Sequence, residues 1–92
     1  MAIRKIHYTS RFIKDLKKLP KDKHKLATKR EKIFRKDPFS QTLKTHKLSG
    51  KLQDYWAFSI TYKDRVLFRF ISGDEAIFYK VGSHAIYDRM WL

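Results

Sequence analysis

Tyr55-Trp56-Ala57-Phe58-Ser59-Ile60-Thr61-Tyr62, then Arg65-Val66-Leu67-Phe68-Arg69-Phe70-Ile71, then Glu75-Ala76-Ile77-Phe78-Tyr79-Lys80-Val81 each alternate with a period of two. That period places successive side chains on opposite faces of a strand. Between the last two runs, Ser72-Gly73-Asp74-Glu75 has the composition of a tight hairpin turn. A two-residue loop at Gly73-Asp74 pairs Phe70 with Ile77, Phe68 with Tyr79 and Val66 with Val81, which makes one apolar face. Arg65, Arg69 and Lys80 fall on the other. At the preceding turn, a two-residue loop at Lys63-Asp64 would send Trp56, Phe58, Ile60 and Tyr62 to the arginine face. A three-residue loop at Lys63-Asp64-Arg65 keeps them on the core face and sets Arg65 at the sheet edge, so it is preferred.

Upstream the period changes. Ile3 to Tyr8 is short and β-rich and reads as a first strand. Thr9 and Ser10 offer an N-cap. Phe12, Ile13, Leu16 and Leu19 then follow at helical spacing, with lysines between them. Pro20 ends or turns that helix. A second helix is expected from about Lys21 to Lys36, with the thinner apolar set Leu26, Ala27, Ile33 and Phe34, stopped by Asp37-Pro38. The expected order is strand, helix, helix, strand, strand, strand, then a tail over Asp88 to Leu92 that packs as a short helix or over the sheet. A helical hairpin segregated from a mainly antiparallel sheet is an α+β architecture. With 92 residues and no low-complexity tract or Gly/Ser linker, 1–92 reads as one domain.

Composition narrows the chemistry. The chain carries 22 Lys and Arg against 9 Asp and Glu, a net charge of +13. That exceeds the magnitude of about 2–8 that solubility asks of a small domain, and it attracts polyanions. Residues 11–36 alone hold twelve basic and three acidic side chains, so like charges crowd these helices unless a negative partner relieves them. There is no Cys, which removes disulfides and thiolate metal sites and suits a reducing cytoplasm. No apolar run approaches the roughly 20 residues that span a bilayer. No phosphate-binding glycine loop, serine elbow, dinucleotide fingerprint or HxxxH spacing is present, so neither a metal nor a cofactor is expected.

Of the four His, His7 on the first strand and His24 among lysines read as surface or structural residues. His46, in Leu43-Lys44-Thr45-His46-Lys47-Leu48-Ser49-Gly50-Lys51-Leu52, and His84, in Gly82-Ser83-His84-Ala85-Ile86-Tyr87, stand at element ends, where functional side chains gather. His, Arg, Lys and Tyr on a basic surface suit metal-free RNA cleavage. RNA supplies its own 2′-OH nucleophile, so an enzyme needs a base, a cation for the phosphorane and an acid for the leaving oxygen. A surface that only binds RNA would use the same residue types.

The sequence resembles the RelE/ParE toxin superfamily over essentially its whole length. Three stretches carry the resemblance: His46-Lys47-Leu48-Ser49-Gly50 with Asp54-Tyr55-Trp56; Tyr62-Lys63-Asp64-Arg65-Val66-Leu67-Phe68; and Val81-Gly82-Ser83-His84-Ala85-Ile86-Tyr87. The branch it is most similar to contains YafQ- and YoeB-like mRNA interferases. The resemblance implies a type II toxin that cleaves mRNA on the ribosome and is neutralised by an acidic antitoxin. It implies His84 as a catalytic His, Arg65 as the scissile-phosphate Arg, His46 as a loop His of the YafQ-like branch, Asp64 as an acidic position of that branch, and Tyr87 as the C-terminal aromatic. His46 is the first candidate for general base and Asp64 the second. Lys44, Lys47, Lys51, Arg69 and Lys80 are the expected RNA contacts. Where YafQ-like toxins carry a further His near the end of the second strand, this chain has Phe58-Ser59-Ile60-Thr61, and the Glu base of YoeB-like toxins has no secure equivalent. A ParE-like, non-catalytic block of DNA gyrase and a degenerate member that only binds RNA or antitoxin remain the alternatives.

Overall fold

The computed structural model describes residues 2–83. Expectations that fall on His84, Tyr87 and the 88–92 tail lie outside the described residues. The chain runs β1 (Lys5–Tyr8), α1 (Ser10–Lys18), α2 (Lys21–Lys36), β2 (His46–Lys47), β3 (Trp56–Ser59), β4 (Arg65–Ser72) and β5 (Glu75–Gly82), with short 3-10 turns at Gln41–Leu43 and Gly50–Leu52. The strands form one sheet in the order β1-β5-β4-β3-β2. Among the described strands only the β1–β5 pair is parallel. This is the expected α+β arrangement with one strand more. The extra strand, β2, is two residues long and has no apolar period of its own, so nothing in its composition announces it. It exists because His46 and Lys47 hydrogen-bond onto the open edge of β3.

Local signals explain the helices. The Thr9 hydroxyl accepts from the Phe12 N–H at 3.0 Å and caps α1. Pro20 sits at the N-cap of α2, where its missing N–H costs nothing. At the far end of α2, the Ile3 N–H donates to the Arg35 carbonyl at 2.8 Å. Ile3 therefore leaves the sheet to close a helix C-terminus, and β1 begins two residues later than the composition suggests.

The core lies between the helices and one sheet face. Phe34 of α2 is fully buried and stacks on or meets edge-on Phe58, Phe68 and Phe78 at centroid distances of 4.9–5.2 Å. Ile6, Phe12, Ile60, Val66 and Val81 complete it.

Two registers differ from expectation. The Gly73-Asp74 loop forms and Ser72 faces Glu75, but Phe70 faces Ala76 and Phe68 faces Phe78 before Val66 meets Val81 as expected. One bulge leaves Ile71 unpaired on β4 and another leaves Tyr79 unpaired on β5. Between them the side chains of β5 are turned over, so Ala76 and Phe78 enter the core and Ile77 and Tyr79 go to the other face. The exchange buries a phenyl ring in place of a phenol. The bulged backbone is satisfied by the helix cap: the Thr9 hydroxyl donates to the Tyr79 carbonyl at 2.8 Å and the Thr9 N–H to the Phe78 carbonyl at 3.1 Å. At the other turn, Ser59 faces Arg65 and Phe58 faces Val66. The Ile60 N–H donates to the Asp64 carbonyl at 2.9 Å, so the loop is Thr61-Tyr62-Lys63, two residues earlier than expected. Trp56, Phe58 and Ile60 keep the core face, but Tyr62 stands at the tip, 87% exposed. No helix among the described residues is long and apolar enough to cross a membrane.

Candidate functional site on the sheet face opposite α1 and α2

Residues that face one another across a sheet share a side. Because Phe58, Val66, Phe68 and Phe78 point to the helices, their neighbours point away. On that second face, which carries no helix among the described residues, one row runs His46, Ala57, Leu67, Lys80 and the next Ser59, Arg65, Gly82. Arg69 is two residues beyond Leu67. Its guanidinium lies over the Tyr55 ring, 5.7 Å from the centroid, and Tyr55 meets Tyr79 edge-on at 5.2 Å. Stacking on Tyr holds a guanidinium without neutralising it. At about 4.8 Å between strands, His46 and Arg65 are two strands apart. Arg65 is directly opposite Gly82 and is paired on its other side with Ser59, so it lies within β4 between two strands and not in a loop at the sheet edge as expected. His84 follows Gly82 by two residues in sequence.

The expected site residues separate into groups. His46, Arg65, Arg69 and Lys80 share this face, although Lys80 is only 8% exposed in the middle row beside the buried Ala57 and Leu67. Lys47 faces Trp56 on the opposite side of the edge strand. Lys44 is exposed in the turn before β2, and Lys51 is exposed in the second 3-10 turn. Tyr55, Tyr79 and Ser59 join the face without having been singled out. Their signal was present in the alternation, but only the bulge at Tyr79 assigned that ring its side.

His46 has a defined tautomer. Its Nδ1 lies 3.0 Å from the Lys44 carbonyl oxygen. A carbonyl only accepts, so Nδ1 carries the proton, and the neutral ring presents Nε2 with its lone pair free to take one. Lys44 supplies that carbonyl from a left-handed backbone, φ 52°, a region that non-glycine residues rarely adopt.

Asp64 is engaged elsewhere. It is buried, and its Oδ2 accepts from the Thr61 hydroxyl at 2.6 Å and from Lys23 Nζ of α2 at 3.0 Å. Burial by itself would raise its pKa. The hydrogen bonds from Thr61 and Lys23 and the charges of Lys23 and Arg65 outweigh burial and hold the carboxyl below the ordinary carboxylate range. A carboxylate so stabilised is a poor proton acceptor, which keeps Asp64 behind His46 as a candidate base. What it does is fix the loop that carries Arg65. Arg65 Nη1 in turn donates to the Thr61 and Tyr62 carbonyls at 2.8 and 2.7 Å.

A cavity of about 330 Å3 lies on the helix side. Phe12, Ile13, Leu16, Ala27, Phe58 and Phe78 make it apolar, with His24 and Glu31 at its lining. Lys17 is the one Lys or Arg among the described residues that line it, and none of the cations of the opposite face reaches it, so it does not combine a base with a phosphate-binding cation. Among the described residues, no three His, Asp or Glu side chains gather as metal ligands.

The fold has solved counterparts. A YoeB/ParE toxin from Agrobacterium tumefaciens superposes with a TM-score of 0.74 at 20% identity, over 87% of this chain and 98% of that one. The toxin–antitoxin complex RelBE2 from Mycobacterium tuberculosis contains a chain matching with a TM-score of 0.75 at 15% identity, over 91% and 100%. The E. coli DinJ-YafQ toxin–antitoxin complex contains one matching with a TM-score of 0.68 at 19% identity, over 88% and 92%. At these identities the likeness is one of fold. No curated protein matches the chain. Residues 4–88, however, match the family described as the bacterial toxin of type II toxin–antitoxin system, YafQ. The chain belongs to the YafQ family of type II toxins.

Proposed function

We propose that this toxin is a ribosome-dependent, metal-independent mRNA endonuclease. One observation carries the reading: His46 with Nδ1 on the Lys44 carbonyl and no described partner at Nε2, Arg65 opposite Gly82, and Arg69 on Tyr55 all occupy the sheet face opposite α1 and α2. RNA brings its own nucleophile, so base, cation and acid suffice. Nε2 of His46 takes the proton of the 2′-OH. The 2′-oxygen bonds to phosphorus, and Arg65 balances the charge of the phosphorane. His84 protonates the 5′-oxygen as its bond to phosphorus breaks. The products are a 2′,3′-cyclic phosphate and a 5′-hydroxyl. Tyr87 lies against the substrate, and the exposed Lys44, Lys51 and Arg69, with Lys47 on the other side of the edge strand, supply the cationic bed for mRNA and ribosomal RNA, while the buried Lys80 adds its charge from beneath the surface. In the cell the protein acts in the cytoplasm and is silenced by an acidic antitoxin. The apolar helix-side cavity, flanked by basic helices, suits the antitoxin's apolar anchors.

Primer extension on an mRNA in a translation extract, with and without ribosomes, tests this reading. Cuts should require ribosomes. His84→Ala should lower the rate by about 10²–10⁴ and Arg65→Ala by about 10²–10³, while His24→Ala should leave it unchanged. A His84→Ala protein that cuts at the wild-type rate removes the mechanism and leaves gyrase inhibition or RNA binding without catalysis as the better reading.

A further inference from the structure

A second cleft, about 220 Å3, opens where α2 and the turn before β2 meet the ends of β3 and β4. Arg30, Thr42, Lys44, Ser59, Thr61 and Arg65 line it, and no carboxylate among the described residues does. The arginines here differ from three others in the chain. Arg4 pairs with Asp74 and Glu75, Arg11 with Asp15, and Arg35 with Glu31. Arg30 makes no ion pair with a described residue. Its Nη1 donates to the Thr42 carbonyl at 2.8 Å. Arg65 is held the same way by the carbonyls of Thr61 and Tyr62. A neutral carbonyl orients a guanidinium without pairing its charge. The carboxylate that feels Arg65, Asp64, is bonded to Thr61 and Lys23 and is not in the cleft lining, so two oriented guanidinium groups and Lys44 line one cleft. A group with negative charge and several acceptor oxygens completes that arrangement.

We propose that this cleft binds one backbone phosphate of the RNA, with Arg30 of α2 as a phosphate-binding residue beside Arg65. The proposal rests on the reading that the sheet face opposite α1 and α2 takes RNA. It extends the RNA path off the sheet and around the end of β3 onto α2. It also gives Arg30 a role distinct from that of the exposed lysines around it, which supply a diffuse field.

The test uses the full chain and a ten-nucleotide single-stranded RNA carrying 2′-O-methyl groups, which binds but offers no nucleophile. Affinity is titrated over a range of salt. Arg30→Gln should weaken binding about tenfold, as loss of a charge-assisted contact does, and should flatten the log–log salt slope by about 0.7. Lys29→Gln removes the same charge from the neighbouring exposed position outside the cleft and should change affinity less than about twofold. Arg30→Lys, which keeps the charge without the fork, should fall between wild type and Arg30→Gln. Inorganic phosphate at constant ionic strength should displace the RNA from the wild type and not from Arg30→Gln.

Equal weakening by Arg30→Gln and Lys29→Gln overturns the proposal in favour of a diffuse field, and so does no weakening by either. Phosphate that binds the wild type without displacing RNA also overturns it, since the site then takes a free anion. Because the probe is not cut, Arg30-dependent binding stands even if the cleavage reading fails. Ribosome-dependent cleavage with Arg30-independent binding would sink the phosphate site alone.

Discussion

His46 and Asp64 were the two candidates for general base, and their hydrogen bonds separate them. The Lys44 carbonyl takes the Nδ1 proton of His46, so Nε2 is the acceptor of the neutral ring, whereas Asp64 is spent on Thr61 and Lys23. Asp64→Asn should therefore keep mRNA cleavage within about tenfold of wild type where the protein is folded, while His46→Ala should lose about 10²–10⁴. The reverse order in cleavage rates would make Asp64 the base. The stability effect has a definite sign. The folded-state pKa of Asp64 is lowered, so its contribution is fully present above the unfolded value and is lost as pH falls through the lower folded value. At pH 7 Asp64→Asn should cost about 1–2 kcal/mol. The low end is favoured because the Lys23 side chain is 37% exposed and solvent screens the pair. Urea denaturation at pH 7 and again at pH 3 should show the gap between wild type and variant narrowing with acid.

The strands show how a face can be legible while its register is not. Alternation in residues 55–82 assigned Arg65 and Arg69 to one side and Phe58, Val66 and Phe68 to the other, and the sheet keeps those assignments. It could not disclose two compensating bulges, because Ile77/Tyr79 and Ala76/Phe78 are equally periodic. Their choice depends on α1 and α2. Thr9 offers its hydroxyl to the bulged Tyr79 carbonyl, and Phe12 and Phe34 offer ring surface to Phe78. Phe78→Ala should accordingly cost about 3–5 kcal/mol, as a buried aromatic does. Tyr79→Ala, outside the core, should cost clearly less. Thr9→Val removes both the cap and the bulge's partner and should cost about 1–2 kcal/mol. Chemical denaturation of the three variants orders them, and a larger loss for Tyr79→Ala than for Phe78→Ala would restore the unbulged register.

Across the whole molecule, the net charge of +13 and the partition of the sheet into a packed face and a cationic face set how partners approach. Ribosome association through RNA phosphates should weaken steeply with salt, with a log–log slope of about −0.7 to −0.9 for each phosphate neutralised. Sedimentation with ribosomes over a salt series measures it, and an association indifferent to salt would mean that the basic surface is not the contact. Co-expression with the adjacent small open reading frame should give a tight complex that relieves growth arrest. An acidic, partly apolar partner both relieves the crowded lysines of α1 and α2 and fills the apolar cavity between them.

The sequence by itself determined the α+β class, the helix limits at Thr9, Pro20 and Asp37, the hairpin at Gly73-Asp74 and the surplus of positive charge. Each of these depends on contacts within a few residues or on a simple count. Tertiary structure alone decided which way Tyr79 turns, that His46 and Lys47 form an edge strand, that Lys23 takes Asp64, and that Arg30 meets Arg65 across about 35 positions of chain. Those outcomes require a partner from a distant element to satisfy a backbone carbonyl, a carboxylate or a ring face, and the local pattern of residues holds no record of which partner arrives.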